Sequence, residues 1–449
     1  MNQLQLINGA FKNDQETNRL PYTDQFDGQH ISFHSLSGTI GNLMFQNDTL
    51  WANVTLTGKE RSGLEIKKIL SDFRLTPEIM EFRNLDLETN NSRIGNYFSM
   101  GYTDFNKDMK NFLSDVKLDA RLAKTVLSSD DLAIFAPALL KWKRTFYIDG
   151  NAKGSVDNFS AKKIKIKSGN TSIDGDIAMR GLPDINSTFI DLKANSFQTT
   201  YNELASLLPE LKKITQPQLS KLGNINYKGN FTGFLDDFVT YGTISTNLGV
   251  IVADINMKLP KNETPIYSGK IVTQGFKLGQ FLDQGQLGAI SLNGKVVGRS
   301  FNLEKLQANF DGTISQLEYN NYNYRNISIN GDFKKNLFTG HLNIDDPNLK
   351  INNLDGTLSL SGKEIAFNLD ADLQYANLKN IHFTKDSFEL AGLFSLNFTG
   401  NNIDNFLGSA RVYNASLKHD STRLSFDSLL LSSQIKDGKK YLSLQSNEI

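Results

Sequence analysis

The residues of this 449-residue chain that could do chemistry are five histidines, two adjacent carboxylate pairs and a tyrosine cluster. His30 and His34 stand four apart in HISFH. On a strand that spacing gives one face but a separation of about 13 Å, too far for a shared metal ion. His341, His382 and His419 complete the set. Asp236/Asp237 and Asp345/Asp346 fall in corner-like sequence, where carboxylates cap turns; the run NIDDPN is the one calcium alternative. GAISLNGKV from Gly288 approximates a phosphate loop, but its spacing is one residue too long. Val296 stands where Ser or Thr should meet magnesium. Neither G-x-S-x-G nor H-E-x-x-H occurs. Tyr319, Tyr322 and Tyr324 beside Arg325 could stack on RNA bases; without a basic patch, a strand edge with amphipathic tyrosines is expected instead. Sequons such as those at Asn53, Asn230 and Asn397 are what an Asn-rich chain produces by chance. These residues predict no catalytic site, no metal and no cofactor: a protein that is not an enzyme.

The totals agree with that direction. Lys plus Arg and Asp plus Glu both number 48, which gives no electrostatic reason to expect nucleic acid or an acidic membrane surface. Cysteine is absent, so disulfides, thiolate nucleophiles and Cys-ligated zinc are excluded. An oxidising compartment suits such a chain. The longest apolar run, LAIFAPALL at 132–140, is far short of the roughly 18–20 residues a membrane span needs. The polar start has no apolar core of a signal peptide, and the last residues, KKYLSLQSNEI, read as a strand cut short.

Alternation must position whatever these residues do. Ile365, Phe367, Leu369, Ala371 and Leu373 share one parity against Asp370 and Asp372. Ile164 and Ile166 alternate with Lys163, Lys165 and Lys167, and the pattern recurs at Ile190/Leu192/Ala194, Ile327/Ile329 and Leu358/Leu360. Period two with a polar second face marks half-buried antiparallel strands. Turn signals such as NNLDG, NGD, LSGKE and KDGKK recur every ten residues or so, predicting about twenty-five strands. Short helices are expected at 63–73, 104–114, 128–142, 201–213 and 276–283. The expected division is a loosely ordered 1–27, then sheet sections at 28–144, 145–285 and 286–449.

One phrase recurs: AKGSVDNF, FTGFLDDF, VVGRSFNL and FTGNNIDNF, around Gly154, Gly233, Gly298 and Gly400. Each follows an alternating apolar run, and each leads to an acidic or amide residue and then Phe or Leu. Glycine on the apolar side lets a strand bend sharply or another backbone approach. The intervals are too uneven for a strict solenoid. A continuous apolar face with so few helices has two closures: dry sandwiches or barrels, or an open trough filled by something other than protein. Stacked in one sheet, the strands would extend on the order of 100 Å.

The run at 274–361, QGFKLGQFLDQGQLGAISLNGKVVGRSFNLEKLQANFDGTISQLEYNNYNYRNISINGDFKKNLFTGHLNIDDPNLKINNLDGTLSLSG, resembles the middle of the TamB family within the AsmA-like bacterial envelope proteins. SGLEIKKILSDFRLTPEIMEFRNLDLETNNSRI at 62–94 and DLAIFAPAL at 131–139 support it. The match rests on the order of degenerate apolar, Gly and Asp positions over nearly all of 28–449. The resemblance implies a mainly β fold: an elongated, curved antiparallel β-groove of many short strands, a β-taco, with a hydrophobic interior. It implies a periplasmic location with the parent protein anchored in the inner membrane by a helix. It also implies docking to an outer-membrane barrel of the TamA or BamA type, with roles in moving phospholipid and in assembling outer-membrane proteins. The anchor helix and docking domain have no counterpart in this sequence. Acyl chains of phospholipid are the expected guest. The expected lining is Ile148, Ile164, Ile166, Tyr227, Phe231, Leu292, Val296, Ile327, Ile329, Ile365, Phe367, Leu369, Phe394, Leu396 and Phe398. The alternatives are a scaffold for nascent barrel strands, and a dry structural array.

Overall fold

The computed structural model describes residues 3–19, 24–261, 263–302, 304–335, 337–359, 365–400 and 404–448. The fold is mainly β, antiparallel and not closed into a barrel. Its strands are β1 (Gln3–Asp14), β2 (His30–Gln46), β3 (Thr49–Glu60), β4 (Glu65–Leu75), β5 (Ile79–Glu88), β6 (Arg93–Gly101), β7 (Lys117–Ser128), β8 (Thr145–Ser155), β9 (Asn158–Ser168), β10 (Thr171–Arg180), β11 (Phe189–Thr200) and β12 (Asn224–Gly233). They continue as β13 (Asp237–Thr246), β14 (Gly249–Lys258), β15 (Ile266–Phe276), β16 (Leu287–Arg299), β17 (Gln307–Tyr319), β18 (Tyr322–Lys334) and β19 (Leu337–Asp346). The last are β20 (Leu349–Ser359), β21 (Ala366–Asn377), β22 (Phe388–Thr399), β23 (Leu407–His419), β24 (Thr422–Lys436) and β25 (Lys439–Glu448). Among the described residues, five α-helices of at most seven residues interrupt them: α1 (Phe105–Asp108), α2 (Phe112–Asp115), α3 (Ser129–Ala133), α4 (Tyr201–Leu207) and α5 (Leu278–Leu282).

The chain forms two compact units, Met1–Leu207 with Asn226–Phe238, and Leu208–Ile225 with Val239–Ile449. In the first, β1 to β11 pair in chain order. In the second, β14 to β25 do the same. Chain-order antiparallel pairing needs only short turns, which is why the turn signals are so regular.

Bulges bend the first unit's sheet. Asn42, Asn84, Lys124 and Lys163 adopt left-handed backbone at φ 50°, 49°, 53° and 51°. The register slips beside Asn42, Asn84 and Lys124 on β2, β5 and β7. The Lys124 amide donates to Asp149 Oδ1 at 2.7 Å and the Lys163 amide to Asp176 Oδ1 at 2.8 Å. At Lys124 and Lys163 the bulge thus releases an amide from the ladder, and an aspartate on the next strand satisfies it. A bulge adds local bend and twist, so repeating it curves the sheet.

Three expectations need correction. The segment 63–73 is not helical; most of it is β4. Apolar Ile66 and Ile69 sit three apart because bulges slip the register beside them, and that step imitates helical spacing. The start is not loose throughout: β1 pairs along β2 from Gln3 to Asp14. The tyrosine cluster is not on an edge strand, since β18 pairs with both β17 and β19 and Tyr324 is buried. The other expected helices are present only as short pieces: 128–142 breaks into α3 and a 3-10 turn at Pro137–Lys141.

Candidate functional site: an apolar lining face

The recurring phrase resolves into a hairpin device. Gly154, Gly233 and Gly400 sit at φ +125°, +136° and +116°. A Cβ on Gly154 or Gly233 would overlap the carbonyl oxygen of Asn158 or Asp237 and meet the Cα of Phe159 at 2.8 Å or Phe238 at 2.7 Å. On Gly400 it would come within 2.6 Å of the Asn405 oxygen. The phenylalanine after each corner therefore packs flush on the strand before it. The rings of Phe231 and Phe238, and of Phe398 and Phe406, lie 4.8 Å apart. Gly298 departs from this: its φ is not positive, it faces Ala308, and Leu303 of that copy lies outside the described residues.

Cross-strand register then assembles single apolar positions into rungs. In the first unit one rung runs Ala52, Phe73, Phe82, Phe98, Ala120, Ala152, Ala161, Ile177 and Leu192, from β3 to β11. Every residue on it is apolar. In the second unit, Val296, Phe310, Gly331, Gly340, Gly356, Leu369, Leu396, Ala410, Leu431 and Leu444 form a rung across β16 to β25. The neighbouring rung carries Phe333, Phe338, Leu358, Phe367 and Phe398, with Phe367 and Phe398 ring centroids 4.8 Å apart. Antiparallel neighbours on one face contact directly, so each rung is a continuous apolar strip.

This face is not covered as a core would be. On the first unit's rung Ala52, Ala120 and Ala161 are buried, and Phe73, Phe82, Phe98, Ala152, Ile177 and Leu192 are only half-buried. Among the described residues, the largest fully buried side chains are Val116, Thr125, Thr188, Asp346, Ser129 and Ser155. No Leu, Ile, Phe or Met is among them, whereas close-packed interiors sequester these first.

The fifteen expected lining residues lie on the more buried parity. Ile164, Ile327 and Leu369 are buried, and the other twelve, Ile148, Ile166, Tyr227, Phe231, Leu292, Val296, Ile329, Ile365, Phe367, Phe394, Leu396 and Phe398, are half-buried. Lys163, Lys165, Lys167 and Asp370 on the opposite parity are exposed. Register brings Ile148 opposite Ile166, Phe367 opposite Phe398, Leu369 opposite Leu396, and Ile327 between Ile314 and Ile344. Ile164 is pressed against Gly150, whose added Cβ would meet its Cα at 2.8 Å. Sequence reasoning missed Phe73, Phe82 and Phe98, the first because its segment imitates a helix. It also missed two patches where connections cover the face. Leu278 and Phe281 of α5 pack on Leu248, Phe276 and Ile290, and Ile381 packs on Tyr324, Ile327 and Ile344. Leu278, Phe281 and Ile381 are apolar residues in mostly polar connections, KLGQFLDQGQ and LKNIHFTKDS, and nothing local marks them as covering the face.

The chemically capable residues are engaged structurally. His30 places Nδ1 2.9 Å from Asp27 Oδ2 and Nε2 2.9 Å from the Thr17 carbonyl oxygen. Asp346 accepts from Tyr322 Oη and from the amides of Arg325 and Asn348, which ties the tyrosine cluster to the β19–β20 turn. Burial pushes the Asp131 carboxyl up, but donors on Thr89, Asn91 and Ser92 outweigh it and hold it below the ordinary 3.8. Among the described residues no three His, Asp or Glu side chains group as metal ligands, and no helix is long and apolar enough to cross a membrane.

The site defines a class: in each unit, an antiparallel sheet with an apolar face crossed by rungs. No family model, curated protein or solved structure matches the chain.

Proposed function

We propose that this chain is a β-groove that conducts phospholipid across the periplasm between the inner and outer bacterial membranes, in the manner the TamB-like sequence order implies. The observation that carries the reading is the unbroken apolar rungs on a face left half-exposed. Burying apolar surface is favourable by about 0.8 kcal/mol per methylene, so a face of this kind strongly favours acyl chains over water. Head groups stay at the wet rim, where the strands end in polar turns. Successive positions along a rung, one per strand and about 4.8 Å apart, offer similar apolar contacts, so a tail slides without a deep trap. No bond is made or broken, and the reading requires neither acid, base, nucleophile nor cofactor. Anchoring to the inner membrane and docking to a TamA- or BamA-type barrel belong to the same proposal.

A photo-crosslinking residue tests it. Placed at Phe367 it captures phospholipid in a bacterial host, and placed at Asp370 on the opposite parity it does not. Equal capture at both positions, or none at Phe367, overturns the proposal. Capture of nascent barrel protein instead of lipid would favour a scaffold.

A further inference from the structure

The connection between β21 and β22 does not turn directly. Residues 378–387 fold back onto the lining face of the second unit. Ile381 is buried there against Tyr324, Ile327 and Ile344, with Leu378 beside it and Ile314 and Ile351 around them. The long-range bonds that hold the segment down come from side chains. Tyr324 Oη donates to the Ile381 carbonyl at 3.3 Å, Asn320 Nδ2 to the His382 carbonyl at 3.2 Å, and Asn380 Nδ2 to Asn348 Oδ1 at 2.9 Å; His382 Nδ1 lies 3.0 Å from the Asn320 carbonyl oxygen, and its ring meets Tyr322 edge-on at 6.2 Å. Within the segment, the Ile381 and Phe383 amides donate to the Asn377 and Leu378 carbonyls. His382 sits in left-handed backbone at φ +63°, and Phe383 is 67% exposed.

Ile381 packs over the rung Ile314, Ile327, Ile344 and Ile351, whose outer members Ile314 and Ile351 are only half-buried. Its branched aliphatic group fills the kind of place that a segment of acyl chain would fill. A short connection with one buried apolar anchor and a few long-range hydrogen bonds opens locally far more readily than the strands beneath it. We propose that residues 378–387 form a displaceable plug: Ile381 holds an acyl position on the lining face, and a lipid tail moving along the second unit must displace it. This rests on the groove reading. Exposed Phe383, two residues on, gives an arriving tail apolar contact before Ile381 yields. The plug limits passage here to tails that outcompete one isoleucine.

Hydrogen exchange on the full chain tests it, with single-tailed lysophosphatidylcholine below its micelle concentration as probe. Binding of the probe is followed separately by tryptophan or added-dye fluorescence. The expected result is exchange at 378–387 at least about fivefold faster with probe, while β18 and β19 do not speed up. Ile381→Ser is expected to bind the probe several-fold more tightly; Ile381→Val, which keeps the packing, shows the same direction more weakly. Probe binding with exchange at 378–387 unchanged or slowed overturns the plug and leaves the groove standing. No probe binding by wild type or either variant overturns the groove reading and the plug with it.

Discussion

Replacing Phe367 and Leu396 together by lysine separates an open face from a dry one. Phe367 faces Phe398 on one rung, and Leu396 faces Leu369 and Ala410 on the next. Both are half-buried in the folded chain. On an open face each lysine lays its methylenes along the rung and lifts its ammonium into water. The loss is then the partial apolar burial of each side chain, about 1–2 kcal/mol apiece. The two sites are close enough to couple, and mutual repulsion of the ammonium groups adds a little more. A total of about 3–4 kcal/mol lowers Tm by roughly 6–16 °C for a unit of this size. In an interlocked core each unpaired buried ammonium would cost several kcal/mol. Two of them would consume most of a typical stability of about 5–15 kcal/mol, and the second unit would unfold. Circular dichroism gives the melt, and transfer of a fluorescent phospholipid analogue gives function. The account predicts a folded double variant with a modestly lowered Tm and transfer reduced at least about tenfold. Global loss of strand signal at 25 °C would refute the open face. A folded variant that transfers lipid at the wild-type rate would refute conduction.

Other expectations follow from the corner device and the buried acids. Gly233→Ala combines a left-handed backbone with overlap on the Asp237 carbonyl, and is expected to cost about 2–4 kcal/mol in urea unfolding of the first unit; Gly63→Ala, which has a positive φ but nothing within 4 Å, costs less. The Asp131 carboxyl is depressed in the folded chain, so its contribution is full above the unfolded value of 3.8 and lost as pH falls through the lower folded value. Asp131→Asn should therefore flatten the acid limb of the stability profile below about pH 4 and cost roughly 2 kcal/mol at neutral pH. Burial pushes the Tyr324 phenol up to about 12, with Tyr322, Tyr319 and Asp346 adding to it. Its contribution is present in full below pH 10 and lost as pH rises from there through about 12; Tyr102, Tyr267 and Tyr322 are raised too, so ultraviolet titration should show a group of late tyrosines from which Tyr324→Phe removes one.

How far the fold was legible depends on where period two survives. Ile365, Phe367 and Leu369 alternate cleanly, and the rung partners Leu396 and Phe398 follow from their own alternation. The corner glycines were legible as bends because a residue without Cβ on an apolar parity has few other uses. What hid the rest was the bulges. One extra residue shifts parity, so Ile66 and Ile69 read as a helix and Phe73 was lost from the lining. The amide-capping aspartates Asp149 and Asp176 look like any polar face residue, since their role depends on a register that a single strand does not contain. The plug was hidden for a related reason: Ile381 meets Tyr324 across 57 residues, a contact with no local signature. Which face is wet is likewise a property of what covers it, and covering residues are distant in sequence.

Native mass spectrometry of the chain purified without detergent from a bacterial host tests the central claim most directly. The account predicts phospholipid masses bound at one or more per chain, lost on replacing Phe367 and Leu396 by lysine. A bare chain mass under conditions that retain lipid on a known carrier would contradict it.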